Sequence, residues 1–294
     1  MEKHIDLSIV ILSYNTRDLL LKTLDSVFSS MQKTLILEVI VVDNASTNES
    51  LEAVQKKYPQ VITIQLKKNI GFSAGNNVGI KKTSGKYVLL LNSDVLLMPN
   101  TIEVITRFMD DHGDVAVATC KLVFPNDTID YACHRGFPTP WASFTYHLGL
   151  AKFFPHSRFF ASYHLTFLSM NESHEIDSPS GAFYFIRRKV IDDVGLLDED
   201  YFMYGEDLDW SFRIKEAGWK IMYVPTAKAI HHKKQSGRKS TDKDIRIKST
   251  QDFYDTMKIF YSKHYQSRYP TWMGRLVFLG IDVMKKKAVS EVGK

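Results

Sequence analysis

Five apolar residues in a row, Tyr87-Val88-Leu89-Leu90-Leu91, run without alternation into Asn92-Ser93-Asp94. A half-exposed strand would alternate, so a short run of this kind suits a strand buried on both faces. Helices on both sides of a parallel sheet provide that cover. The polar end then emerges at the carboxyl edge, where open α/β sheets bind ligands.

The preceding segments repeat the pattern. Strands are expected over 7–12, 38–42 and 61–64, and a fifth over 115–118. Helices are expected from an N-cap at Thr16, with Leu19, Leu20, Leu24, Val27 and Phe28 at helical spacing, over 50–58, and from the Asn69 segment to about 84. A fourth follows Pro99, with Ile102, Ile105, Phe108 and Met109 on one face. Strands alternating with helices predict an α/β fold: a Rossmann-like, mostly parallel central sheet with helices on both faces.

From residue 121 to about 177 the periodicity fails, and 137–168 are rich in aromatics. So long an irregular region within a compact domain is usually functional or mobile. Its aromatics could fill the core, line an acceptor site or touch a membrane. Order returns with a strand over 181–186, a helical turn over 189–194, a helix over 205–217 and a strand over 219–225. No linker divides the chain.

Composition narrows the class. Hydrophobic content of 44% and charged content of 24% suit a soluble globular protein. No segment approaches the length of a spanning helix, and the N-terminus lacks the long apolar core of a signal peptide. The two cysteines, Cys120 and Cys133, fit neither a disulfide framework nor a metal-ligand spacing, so a reducing cytoplasm is expected. Residues 228–294 hold 16 Lys/Arg against 6 Asp/Glu, a balance of +10, leaving the rest at −5 within a total of +5. This asymmetry suggests an anionic partner near that end. No recognition motif supports nucleic acid.

Several polar clusters stand at expected strand exits. Ser13-Tyr14-Asn15 after the first strand contains no G-x-G-x-x-G, which argues against a dinucleotide oxidoreductase. It also lacks the glycine- and cation-rich loop of a nucleotidyltransferase. Asp43 ends the second strand, as a nucleoside contact or an ordinary turn. The Gly/Asn-rich stretch 69–77, with Asn69, Gly71 and Asn76, could cradle a nucleotide with backbone N–H groups or pack closely through small residues. In Asn92-Ser93-Asp94 an amide and a carboxylate two positions apart point the same way in extended chain. Glu206 and Asp207 open a helix, where the macrodipole stabilises acids and where one could serve as a general base. His231 and His232 follow a strand, as metal ligands or as surface residues.

In their order, these segments resemble the family-2 glycosyltransferases. The match runs through residues 9–15, 41–46, 69–77 and 90–94, then Ser180-Gly181-Ala182, residues 202–209 and Ile230-His231-His232. Within the family the chain looks most like bacterial rhamnosyltransferase-type enzymes of cell-surface polysaccharide synthesis. The resemblance implies a GT-A fold over residues 1–250, with 1–119 holding the nucleotide sugar and 120–250 the acceptor and catalytic groups. A helical basic extension, 251–294, follows.

The resemblance also implies inverting transfer from a dTDP- or UDP-linked sugar to a glycan or polyprenyl-linked acceptor. Ser13, Tyr14, Asn15, Asp43, Asn69, Gly71, Asn76, Asn92, Ser93 and Asp94 would hold the donor, Asp43 through the pyrimidine. Asp207 would be the base, with Glu206, Ser180 and Gly181 beside the acceptor. Asp94 and His231 would hold a divalent cation, Mn²⁺ or Mg²⁺. Asn92 departs from the family's D-x-D and lowers the charge offered to the metal. The basic loop 233–239 could fold over the diphosphate and replace part of it. The alternative is a non-catalytic nucleotide- or glycan-binding module of the same descent. Residues 272–287, apolar with Lys285-Lys286-Lys287 at one end, fit either an interfacial membrane helix or a helix packed on the core.

Overall fold

The expected alternation is present at the amino end: β1 (Leu7–Ser13), α1 (Arg17–Ser29), β2 (Leu37–Asp43), α2 (Ser50–Lys57), β3 (Ile62–Gln65), α3 (Phe72–Ile80) and β4 (Tyr87–Leu91). These belong to a computed structural model that describes residues 5–30, 35–233, 238 and 243–293. A short β5 (Val95–Leu97) precedes α4 (Thr101–Asp111) and β6 (Val115–Val123). The irregular region holds only α5 (Pro140–His147), α6 (Leu150–Phe153) and β7 (His174–Glu175) as helix and strand beyond one helical turn. Then come β8 (Phe183–Arg187), α7 (Arg188–Val194), α8 (Glu206–Glu216), β9 (Lys220–His231), α9 (Lys243–His264) and α10 (Thr271–Gly293).

The sheet order is β3-β2-β1-β4-β8-β6-β9-β5, with β7 also on β9. Strands β3, β2, β1 and β4 are parallel, and every residue of β4 is buried, as its unbroken apolar run requires. One strand breaks the parallel rule: β8 enters between β4 and β6, antiparallel to both. It is reached from the irregular segment rather than through a helical crossover, so nothing constrains it to run parallel.

Two departures from the sequence reading matter for the site. β9 does not stop at Pro225. Its pairing with β6 shifts between Val224 and Lys228, opposite Cys120 and Lys121, so the proline falls in a bulge outside the ladder. The strand therefore reaches His231. There it pairs with the unexpected β5, Val95 opposite His231, one residue beyond Asp94.

Helix α3 lies against β1 through its glycines. A Cβ on Gly75 would sit 2.6 Å from Leu12 Cδ1, and one on Gly79 would sit 2.4 Å from Val10 Cγ1. At the other end, α9 and α10 share a small core in which Tyr201, Phe212, Phe260, Tyr261 and Tyr265 are buried. The buried Asp209 accepts from Arg213 Nε at 2.8 Å and lies 2.7 Å from His264 Nε2, tying α8 to α9. Cys120 and Cys133 are buried free thiols. Among the described residues no helix is long and apolar enough to cross a membrane.

Gly79→Ala tests the α3 contact. Helix propensity favours alanine by about 1 kcal/mol, but overpacking costs about 1–3 kcal/mol. The variant is expected to unfold at lower urea than the wild type.

Candidate active site

The exits of β1, β2 and β4 converge at one edge of the sheet. Thr16 stands at the N-cap of α1 but makes no side-chain cap. Its hydroxyl lies 3.0 Å from Ser13 Oγ and 2.8 Å from Ser93 Oγ, and Thr23 Oγ1 donates to the Ser93 carbonyl. A hydroxyl chain thus pins β4's exit to β1's.

Asn15, at φ 55°, accepts from Thr47 N–H through its side chain at 2.9 Å, while its own N–H donates to Ser46. Asparagine tolerates this left-handed backbone through its short polar side chain. Tyr14 is left exposed.

Asp43 is buried at the end of β2. Its Oδ2 accepts from Ser46 N–H at 2.9 Å, whereas its Oδ1 is buried without a hydrogen-bond partner. An orphaned buried acceptor is costly unless a ligand satisfies it. A pyrimidine ring N–H would do so. Alongside lies a cleft of about 570 Å³ lined by Ala45, Ser46, Gln65, Leu66 and Lys67.

The 69–77 segment is organised by Asn44, which the sequence reading did not assign to the site. Its amide donates to Asn69 Oδ1 and to the Gly71 carbonyl, and its oxygen accepts from Ile70 N–H. Gly71 sits at φ 90°, where a Cβ would meet the Phe202 carbonyl at 2.6 Å. Ser73 Oγ donates to the Tyr201 carbonyl at 2.6 Å. The segment therefore buttresses the chain leading into α8. Asn76 is buried and donates to the Phe72 carbonyl within α3.

Asp94 and His231 are both buried and face each other, His231 Nε2 lying 3.4 Å from Asp94 Oδ1. On the far side His231 Nδ1 is 2.9 Å from Asp130 Oδ2, and Lys233 Nζ lies 3.3 Å from both Asp130 oxygens. Burial opposes charge on the ring, but its hydrogen bonds to the Asp130 and Asp94 carboxylates leave its pKa raised. Burial likewise opposes the Asp130 charge, yet His231 and Lys233 hold that carboxyl well below the usual range.

This donor set fits a divalent cation. A carboxylate holding Nδ1 directs Nε2 outward as a ligand. One carboxylate and one imidazole leave positions for diphosphate oxygens. Among the described residues no cluster of three or more His, Cys, Asp or Glu side chains completes a metal site without them. His232 meets Asp94 through its backbone N–H at 2.9 Å.

Asp207 lies at the start of α8, after the left-handed pair Tyr204 and Gly205. Its Oδ2 accepts from Arg135 at 2.7 Å and from Gly181 N–H at 3.1 Å, and its Oδ1 from Leu208 N–H at 2.8 Å. A carboxylate has about four acceptor sites, so one remains for a further hydroxyl. Arg135 is itself mostly buried; the neighbouring Asp207 charge outweighs that burial and raises its pKa.

Glu206 differs sharply. Its Oε2 is buried without a partner, and burial first, then the Asp207 charge, push its pKa up to about 8. Gly181 is close to it: a Cβ there would lie 3.6 Å from Glu206 Oε1. Ser180 Oγ accepts from Ala182 N–H at 3.1 Å. One residue on from Gly181, the Ala182 carbonyl accepts from Asn92 N–H at 3.0 Å. The base candidate and the exit of β4 are therefore joined through two consecutive residues.

Asp130 and Arg135 escaped the sequence reading. Both come from the stretch where periodicity failed, and its irregular length was the sole signal. Of the expected basic lid, 234–237 and 239 lie outside the described residues. Arg238 places its guanidinium 4.3 Å from the Phe253 ring centre.

The mostly parallel sheet flanked by helices, with its polar strand exits gathered at one edge, is the architecture of the GT-A glycosyltransferases. The chain belongs to the family described as glycosyltransferase-like family 2, whose model matches residues 4–248. It is 28% identical over 211 residues to an N-acetylglucosaminyl-diphospho-decaprenol L-rhamnosyltransferase of Mycobacterium tuberculosis, covering 68% of each chain. It is 24% identical to the O-antigen biosynthesis protein RfbC of Myxococcus xanthus, over 78% of this chain and 17% of that one.

Solved structures share the fold. Staphylococcus aureus TarS residues 1–349 superpose with a TM-score of 0.58 at 17% identity, over 93% of this chain and 69% of that one. The mannosyltransferase PcManGT of Pyrobaculum calidifontis, solved with GDP-Man and Mn²⁺, gives 0.59 at 14% identity, over 99% and 74%.

Glu206 makes stability pH-dependent with a definite sign. Its folded pKa, about 8, exceeds its ordinary 4.5, so the fold favours the protonated form. That contribution is complete below 4.5 and is lost as pH rises through 8. Thermal melts of Glu206→Gln, which stays neutral, should therefore gain on the wild type across this range. A gap that does not change with pH would contradict the assignment.

Proposed function

We propose that this glycosyltransferase moves a sugar from a dTDP- or UDP-linked donor to a hydroxyl of a glycan carried on a polyprenyl lipid, with inversion at the anomeric carbon. Rhamnose is the sugar favoured by the mycobacterial relative's name. Work at the inner face of the cell membrane follows from such an acceptor. The observation that carries the reading is the tie between Asp207 and the β4 exit through Gly181 and Ala182.

Asp43 Oδ1 would accept from the pyrimidine N–H, and the cleft beside it would hold the nucleoside. Asp94 and His231 would hold Mn²⁺ or Mg²⁺. That choice is supported by the Mn²⁺ in the PcManGT complex. Such a cation offsets charge on the departing diphosphate. Asp207 takes the acceptor hydroxyl proton as that oxygen bonds to the anomeric carbon from the opposite face. The bond from the anomeric carbon to the diphosphate oxygen breaks. One base is enough, unlike glycoside hydrolysis, where two carboxyls flank the bond.

Arg135 keeps Asp207 in place, and Glu206, neutral near pH 7, can donate a hydrogen bond to the acceptor. The aromatic segment starts beside this base: Gly136 N–H donates to the Tyr163 carbonyl at 2.9 Å, and Trp141 packs on Phe159 with ring centres 4.7 Å apart. Phe144, Phe153 and Phe159 are more than half exposed, which suits an acceptor with an apolar carrier.

Asp207→Asn should lower transfer by at least about 10³-fold while nucleotide still raises the melting temperature, because only the proton acceptor is lost. Wild-type transfer in that variant would remove Asp207 from the role. Asp130→Asn should weaken Mn²⁺ binding by about 10–100-fold in a titration followed by electron paramagnetic resonance, because His231 loses its orienting carboxylate. Unchanged affinity would separate Asp130 from the cation site.

A further inference from the structure

Helix α10 is apolar on two opposite sides, and only one is covered. The inner side carries the buried Ile281 and the partly buried Val277 and Phe278, which pack on the cluster containing Phe260, Tyr261 and Tyr265. Gly274 allows this approach, since a Cβ there would lie 3.3 Å from the Tyr261 ring. The outer side presents Trp272, Leu276, Leu279 and Val283, which are 60%, 59%, 61% and 59% exposed.

These four residues form a stripe. At about 100° per residue they fall within about 60° of arc, roughly opposite Ile281. Cations border the stripe. Exposed Arg275 and Lys286 lie along one edge and exposed Lys287 along the other. Lys285, on the inner half, is already paired with Asp255 at 2.6 Å, and Asp282 with Lys258 at 2.6 Å. Basic groups therefore predominate on the outward charged positions, with Glu291 near the far end.

We propose that this outer face of α10 docks on an anionic lipid surface. The stripe would enter the boundary between headgroups and acyl chains, with Trp272 at headgroup depth and Arg275, Lys286 and Lys287 on lipid phosphates. A helix in this position lies in the plane of the membrane. The charge pattern disfavours a second copy as the occupant. In a parallel pair, opposite edges of the two stripes meet, which sets Lys286 against the other copy's Lys287. In an antiparallel pair, like edges meet, which brings Arg275 towards the other copy's Lys286. Either way cations face cations.

The inference does not depend on which donor or acceptor the enzyme uses. The test is co-sedimentation of the full chain with phosphatidylglycerol–phosphatidylcholine vesicles and with pure phosphatidylcholine vesicles. The wild type should bind the anionic vesicles at least tenfold more tightly than the neutral ones, and lose that binding in high salt. Leu276→Gln/Leu279→Gln should lose at least tenfold, and so should Arg275→Glu/Lys286→Glu, with each variant's thermal shift by nucleotide unchanged. All these positions are exposed, so the fold should survive either change. Wild-type protein that ignores anionic vesicles, or variants that bind them normally, would overturn the proposal. So would a wild-type dimer that Leu276→Gln/Leu279→Gln converts to monomer, since the stripe would then join two copies.

Discussion

The Asn92 N–H donates to the Ala182 carbonyl at 3.0 Å, and one residue earlier the Gly181 N–H donates to Asp207 Oδ2 at 3.1 Å. This pair of backbone hydrogen bonds couples the end of β4 to the start of α8. It depends on β8 running antiparallel between β4 and β6, which brings the residues preceding β8 to the carboxyl edge. A parallel strand in that place would deliver them to the opposite edge. From the same edge, the hydroxyls of Ser13, Thr16 and Ser93 hold β4 to β1, and Asn44 holds the glycine-rich segment under α8's entry.

Neighbouring acids in the site have different surroundings. Asp207 accepts from the Arg135 guanidinium and from two backbone N–H groups. Glu206 has burial and a like charge beside it, which favour the proton. The missing acid of the D-x-D position can be understood in similar terms. Asn92 offers no charge, but Asp130 stands one imidazole away, bonded to His231 Nδ1 and to Lys233. A second carboxylate thus stands behind His231 rather than beside Asp94, where it would act on the proposed cation through the basicity and orientation of that imidazole.

Apart from β5, the elements of the first 119 residues were legible because the strands there are built on short apolar runs and most of the helices show one apolar face. The polar residues at the strand ends were legible for the same reason, since a buried strand must stop where its polar residues begin. What was hidden depended on pairing between distant segments. Val95-Leu96-Leu97 is too short to announce a strand, and Pro225 looks like a terminator until the bulge opposite Cys120 and Lys121 is seen. Asp130 and Arg135 sit in chain with no period, and nothing in their spacing from His231 or Asp207 predicts the contact. Asp209 was readable only as a helix-start acid, although it ties α8 to Arg213 and His264.

The account rests on one edge of the sheet holding the nucleotide and its cation together. A crystal structure of the full chain with UDP or dTDP and Mn²⁺ tests this most directly. It should show the pyrimidine N–H on Asp43 Oδ1, and the cation bonded to Asp94, to His231 Nε2 and to the diphosphate, with His231 Nδ1 still on Asp130. A nucleotide bound away from Asp43, or a cation that leaves the Asp94–His231 pair untouched, would contradict it.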